Sequence, residues 1–165
     1  MQQTLVFADF VRANTPALVR TAYLLTGSAH AAEELVQDTL VRLYPQWHRV
    51  ENAEVPLAYV RRSVANAFLN QRRRASSREI ITDVVPDRPA ERTPIDDLVD
   101  RDEVWGMLST LNERQRAALV LRYYDGLDDS EIARALGCRE GTVRSLVSRG
   151  LATLRQGVRP TAGRN

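Results

Sequence analysis

Residues 127–155, LDDSEIARALGCREGTVRSLVSRGLATLR, carry the reading that decides the fold. They read as two helices joined by a tight turn. On a wheel of about 100° per residue, Val143, Leu146, Val147, Leu151 and Leu154 share one arc of the second helix. Thr142, Ser145, Ser148, Arg149 and Ala152 fall opposite, with Arg144 and Arg155 on the flank. The first helix, over 130–136, offers Ile132, Ala133 and Leu136 to the apolar arc, and Gly137 supplies a left-handed residue to end it. A short scaffold helix, a glycine turn and a second helix with arginines and hydroxyls outward is a helix-turn-helix pattern. Arginine forks suit guanine edges and phosphates, and hydroxyls suit either. An ordinary helical hairpin with a solvated face is the competing reading of this segment alone.

Upstream, the period stays helical and no segment alternates like a strand. A first block spans about 5–74. It holds a helix over 5–25, which Pro16 should kink or divide, and a helix over 31–44 that stops at Pro45. A loop over 46–56 and a third helix over 57–74 complete it, with Pro56 suited to the first turn. Residues 76–97 hold three prolines, six acids and one apolar cluster, and read as a flexible acidic linker. A second block opens near Leu98. Asn112 should cap a helix over 113–124, with Gln115 placed as in a capping box. The expected fold is all-α: two small helical domains, 1–75 and 98–157, joined by that linker and followed by a tail, 158–165.

The 165 residues carry a formal net charge of only +2, which conceals its distribution. Residues 57–78 hold six arginines and no acid, while residues 79–104 hold nine acids against three arginines. Residues 105–165 are again basic. Two basic zones on one chain suggest two contacts with one polyanion. On the 57–74 helix, Tyr59, Arg62, Ser63, Asn66, Asn70 and Arg73 form one acid-free ridge opposite Leu57, Val60, Val64, Ala67 and Phe68. Amides and arginines there can bond base edges, and the aromatic can stack on an unpaired base. The helix over 31–44 turns Glu33, Glu34, Gln37, Asp38 and Val41 outward, a poor surface for DNA and a fitting one for protein.

Other function classes find no support. No apolar run approaches a membrane span, and the N-terminus lacks the form of a signal peptide. The single cysteine, Cys138, suits a reducing cytoplasm and sits in the turn where a small half-buried residue is expected. His30 and His48 lie in no ligand spacing, so no metal is expected. No phosphate-cradling glycine loop and no nucleophile motif appears, so neither a cofactor nor an enzyme active site is expected.

Three strings then carry a resemblance: AHAAEELVQDTLVRLYPQW at 29–47, PLAYVRRSVANAFLNQRRR at 56–74 and LNERQRAALVLRYYDGLDDSEIARALGCREGTVRSLVSRGLATLR at 111–155. Together they resemble a bacterial RNA polymerase sigma factor of the extracytoplasmic-function type, within the sigma-70 superfamily and most like the actinobacterial SigE family. The resemblance implies that the first domain binds core polymerase and the minus-ten element. Glu34, Gln37, Asp38 and Val41 would dock on the β′ clamp helices. His48, Arg49, Glu51 and Asn52 lie in the loop that would capture a flipped base, and Tyr59, Arg62, Asn66, Asn70 and Arg73 would read the minus-ten element. Tyr59 stands where relatives often carry tryptophan.

The second domain would read the minus-thirty-five duplex through Arg144, Ser145, Ser148 and Arg149, with Arg139 and Thr142 near phosphates. Leu108 and Leu111 would meet the β-flap. The acidic linker would thread toward the RNA exit channel, and an anti-sigma factor is a further implied partner. A stand-alone helix-turn-helix regulator remains the alternative at this point. It would require a dimer surface that the chain does not evidently offer.

Overall fold

The structure is a computed structural model and describes residues 2–77 and 101–157. Among these residues every regular element is helical. The expected linker falls almost wholly outside them, as does the tail.

Helix α1, Gln2–Thr26, is one continuous element despite Pro16, which corrects the expectation of a division there. A proline leaves the backbone without one donor and crowds the preceding turn. Here Asn14 Nδ2 donates to the Phe10 carbonyl at 3.0 Å, and Thr15 Oγ1 donates to the Val11 carbonyl, so side chains serve two carbonyls of that turn. Gly27, at φ 72°, reverses the chain as a left-handed residue. Ser28 then caps α2, Ala29–Leu43, by accepting from the Ala31 amide.

Pro45 ends α2 as expected, yet the chain beyond it is not a loop. A 3₁₀ turn, Tyr44–Gln46, leads straight into α3, Trp47–Glu51. Its cause is Trp47, which is fully buried with Val50 one turn on. The Trp47 ring meets Phe7 and Phe10 edge-on at 4.9 and 5.0 Å, and Phe7 meets Tyr44 at 4.8 Å. The irregular segment shrinks to residues 52–55. Helix α4, Pro56–Ser77, begins on its proline and runs two residues past the expected end of the first domain. Leu18, Leu25, Leu35, Val36, Val60, Val64 and Phe68 form the core of this half.

The second half holds α5 (Arg101–Leu108), α6 (Glu113–Leu119), α7 (Asp129–Leu136) and α8 (Glu140–Gly157). Asn112 caps α6 by accepting from the Gln115 amide at 2.9 Å. The helix does not continue regularly to Tyr124, because Val120–Tyr124 forms a π turn. The full capping box lies instead at Asp128 and Glu131, which starts α7 one residue ahead of the expected position. Gly137, at φ 64°, makes the helix-turn-helix corner. Val143 and Val147 bury against Ile132, Ala133 and Leu136. Gly150 lets α8 approach α6: a Cβ there would stand 2.9 Å from Leu119 Cδ1.

The two halves pack directly on each other. Trp105 covers Gly27 so closely that a Cβ at Gly27 would lie 2.2 Å from Trp105 Cε2. Arg116, 7% exposed, donates to the Leu25 carbonyl of the first half at 2.7 Å and to Leu108 and Leu111 in its own at 3.1 Å each. Trp105 lies over the same guanidinium at 4.7 Å. Burial lowers the pKa of Arg116 and Glu113 opposes that shift.

Candidate nucleic-acid interface

Helix α4 presents its ridge as one line, but not as a free one. Tyr59, Arg62, Ser63 and Asn70 are half-buried, while Asn66 and Arg73 are exposed. The Arg62 guanidinium lies over the Tyr59 ring at 5.5 Å, occupying one stacking face. The Asn66 amide is engaged at both ends: it accepts from Asn70 Nδ2 at 3.0 Å, and its own Nδ2 donates to the Ala135 carbonyl of α7 at 3.1 Å. The ridge therefore faces the helix-turn-helix half across a cleft of about 380 Å³. Arg42 of α2 and Arg134 of α7 line that cleft with Tyr59, Arg62 and Asn66, so its charge is wholly basic.

The loop candidates divide. His48 and Arg49 are exposed on α3, and Arg49 Nη1 donates to Gln46 at 3.1 Å. Asn52 forms the C-cap of α3 and opens the short irregular segment, with Glu51 exposed just before it. On α2, Glu34, Gln37 and Asp38 are exposed and Val41 is 71% exposed, so an apolar residue stands open amid acids. His30 Nε2 lies 3.0 Å from Glu34, at an exposed site where such a pair adds little.

On α8, Thr142, Arg144, Ser145, Ser148 and Arg149 are all exposed, as is Arg139 in the turn. A groove of about 480 Å³ runs from Arg139, Thr142, Ser145 and Arg149 to Asn112 and Gln115, which widens the candidate surface beyond α8. Arg144 is drawn to one side, its Nη1 3.7 Å from Asp129, which also pairs with Arg122. Leu108 and Leu111 do not form an outward surface: they are only 8% and 3% exposed, because the end of α5 and the turn after it place them in the core beneath Arg116. That corrects their expected role as a contact for polymerase.

A second polar cluster escapes the sequence reading. Thr21 Oγ1 of α1 donates to Asp125 Oδ1 at 2.8 Å, and Arg61 Nε of α4 lies 3.4 Å from the same oxygen. The Asp125 side chain is wholly buried and its Oδ2 meets no donor among the described residues. Burial raises its pKa to about 6, against the lowering pull of Thr21 and Arg61. An isolated Asp-Gly pair in the sequence signals only a turn.

The model of sigma-70 region 2 matches residues 10–78, and that of sigma-70 region 4 matches residues 101–154. The RNA polymerase sigma-E factor of Streptomyces coelicolor is 33% identical over 156 residues, which cover 94% of this chain and 88% of that protein. The ECF RNA polymerase sigma factor SigL of Mycobacterium tuberculosis is 30% identical over 142 residues, covering 84% and 80%. Among solved structures, the sigma factor RpoE of Bartonella quintana, in complex with the anti-sigma factor NepR, superposes with a TM-score of 0.74. It is 27% identical and covers 93% of this chain and 98% of that one.

Proposed function

This chain belongs to the sigma-70 family of RNA polymerase sigma factors, in its extracytoplasmic-function branch, and from that premise we propose how its faces divide the work of promoter-directed initiation. The chain directs core RNA polymerase to promoters. Its family is one of initiation factors rather than enzymes, and we assign this chain no catalytic step of its own. Its place of work is the cytoplasm, where polymerase and chromosome meet. Consistent with this, no helix among the described residues is long and apolar enough to cross a membrane.

The first domain carries polymerase docking and minus-ten recognition. The exposed Glu34, Gln37, Asp38 and Val41 dock on the β′ clamp helices. The ridge of Tyr59, Arg62, Asn66, Asn70 and Arg73 reads the opened strand, with His48 and Asn52 beside the flipped base. The second domain reads the minus-thirty-five duplex through Arg144, Ser145, Ser148 and Arg149, while Arg139 and Thr142 hold phosphates. The observation that carries this assignment is a pair of reading faces on separate helices, α4 and α8, each rich in arginine with amides or hydroxyls. A free-standing regulator would carry one reader and a dimer surface. Joining two weak readers raises effective concentration on the promoter without any new contact.

Run-off transcription with core polymerase tests the assignment. Specific start sites that core alone does not produce are expected. If the chain neither binds core nor starts transcription, yet holds duplex by itself, the assignment fails.

A further inference from the structure

Arg144 is exposed on α8, yet its guanidinium has a definite place. It leans back over the first turn of its own helix, where a Cβ at Gly141 would stand 3.7 Å from Arg144 Nη2. Its other amino group, Nη1, lies 3.7 Å from Asp129 Oδ2, in the first turn of α7. Asp129 is itself anchored. Its second oxygen, Oδ1, pairs with Nη2 of Arg122 on the π turn. The backbone around it is fixed by the capping box, in which the Glu131 amide donates to Asp128 at 2.9 Å. The Asp129 and Arg122 side chains are 24% and 30% exposed against 63% for Arg144, so the anchor is the sheltered pair and the reader is the open one.

We propose that Asp129 is a positioning residue for minus-thirty-five recognition: anchored by Arg122, it holds the Arg144 guanidinium ready for one base pair of the duplex. The inference rests on the assignment of α8 as the minus-thirty-five reader. The two contacts of Asp129 differ in kind. Arg122 meets its oxygen directly, whereas Arg144 stands beyond hydrogen-bond reach. Attraction at that distance restrains the fork without consuming a donor, so the fork stays available to guanine O6 and N7. A free arginine gives up rotamer freedom when it seats on a base, and one already held gives up less. Two arginines against one acid also leave the cluster net positive toward DNA. A pair this exposed adds little to folding stability, so its effect falls on aim.

The test uses holoenzyme assembled from core polymerase and the full chain carrying Asp129→Asn, Asp129→Ala, Arg144→Ala or Asp129→Ala with Arg144→Ala. The asparagine keeps the side chain's shape without its charge, and the alanine removes both contacts. A promoter selected by run-off transcription competes for binding against versions substituted at each minus-thirty-five base pair in turn. Arg144→Ala should lose about tenfold preference at one base pair. Both Asp129 variants should lose preference at that same pair and at no other, Asp129→Ala by roughly as much. The double variant should match Arg144→Ala alone, because the carboxylate acts through that arginine.

Asp129 variants that keep the full preference at that pair overturn the proposal. So does an equal gain in affinity for every sequence, which marks an acid that only repels phosphates. A double variant with less preference at that pair than Arg144→Ala overturns it too. Thermal melts check folding, and if Asp129→Ala unfolds, the near-isosteric Asp129→Asn still decides. If Arg144→Ala itself shifts no base preference, the assignment of α8 fails and the inference falls with it. If Arg144→Ala is selective and both Asp129 variants are silent, the assignment stands and the inference alone fails.

Discussion

Acidification should close this protein. Asp125 sits between Thr21 on α1, Arg61 on α4 and Tyr124 beside it, which Arg20 of α1 also faces, and its side chain has no exposure. Loss of hydration dominates there, so the carboxyl titrates at about 6 rather than its ordinary 3.8. Separating the domains returns it to water and to the ordinary value. The closed form thus binds the proton more tightly than the open form. Stabilisation by protonation is complete below the ordinary value and is lost as pH rises through about 6. The gap of about two units corresponds to roughly 3 kcal/mol against closure once the group is ionised.

About one unit of that gap is recovered near pH 5, so the closed-to-open ratio should rise about tenfold between pH 7.5 and pH 5. Dyes on Ala13→Cys and Ala152→Cys, in a Cys138→Ser background, report the ratio by energy transfer, since both alanines are exposed. Asp125→Asn fixes the neutral state, so it should be closed at both pH values and lose the response. No response in the parent would refute the reasoning, as would a response of the opposite sign. So would a full response surviving in Asp125→Asn.

Other expected outcomes are narrower. Arg149→Ala should cost about 1–3 kcal/mol of discrimination at one minus-thirty-five base pair, measured by competition between promoter variants. Val41→Asp should weaken core polymerase binding in a sizing or fluorescence assay without changing thermal stability, because the side chain is 71% exposed. Gly27→Ala should lower stability by about 1–2 kcal/mol through its left-handed backbone and should also displace Trp105, read by denaturant melts and by the fluorescence of that ring. Arg116→Leu should cost roughly 3–5 kcal/mol in the same melts, because it removes a buried donor shared by three carbonyls, of which Leu108 keeps only the Leu111 amide.

The sequence already carried most of the helical architecture. The apolar arcs of α2, α4, α7 and α8 match their buried faces, and Ser28, Asn112 and Gly137 punctuate them where capping chemistry requires. Aromatics are only 6% of the residues, yet Phe7, Phe10, Tyr44 and Trp47 gather in one place. Pro45 and its polar neighbours read as a loop because Trp47 needs partners on α1, more than thirty residues away, before its burial can order α3. The π turn at Val120–Tyr124 was equally illegible, since an apolar run continues unbroken through it.

The reading faces show the same division. Periodicity and charge are local properties, so Asn66, Arg62, Ser145 and Arg149 could be placed on their ridges from spacing alone. Whether a ridge is open or covered is not local. An arginine or asparagine that suits a phosphate or a base edge suits a main-chain carbonyl equally well, and nothing in residues 57–74 says which it meets. The sequence by itself determined two helical domains, a helix-turn-helix and two arginine-rich ridges, because each follows from side-chain period and turn chemistry. Only the tertiary structure decided that Asn66 closes on Ala135, that Arg116 spans both halves and that Asp125 is buried between them. Those contacts join residues some seventy to a hundred positions apart, where packing sets the partner and local pattern carries no record of it.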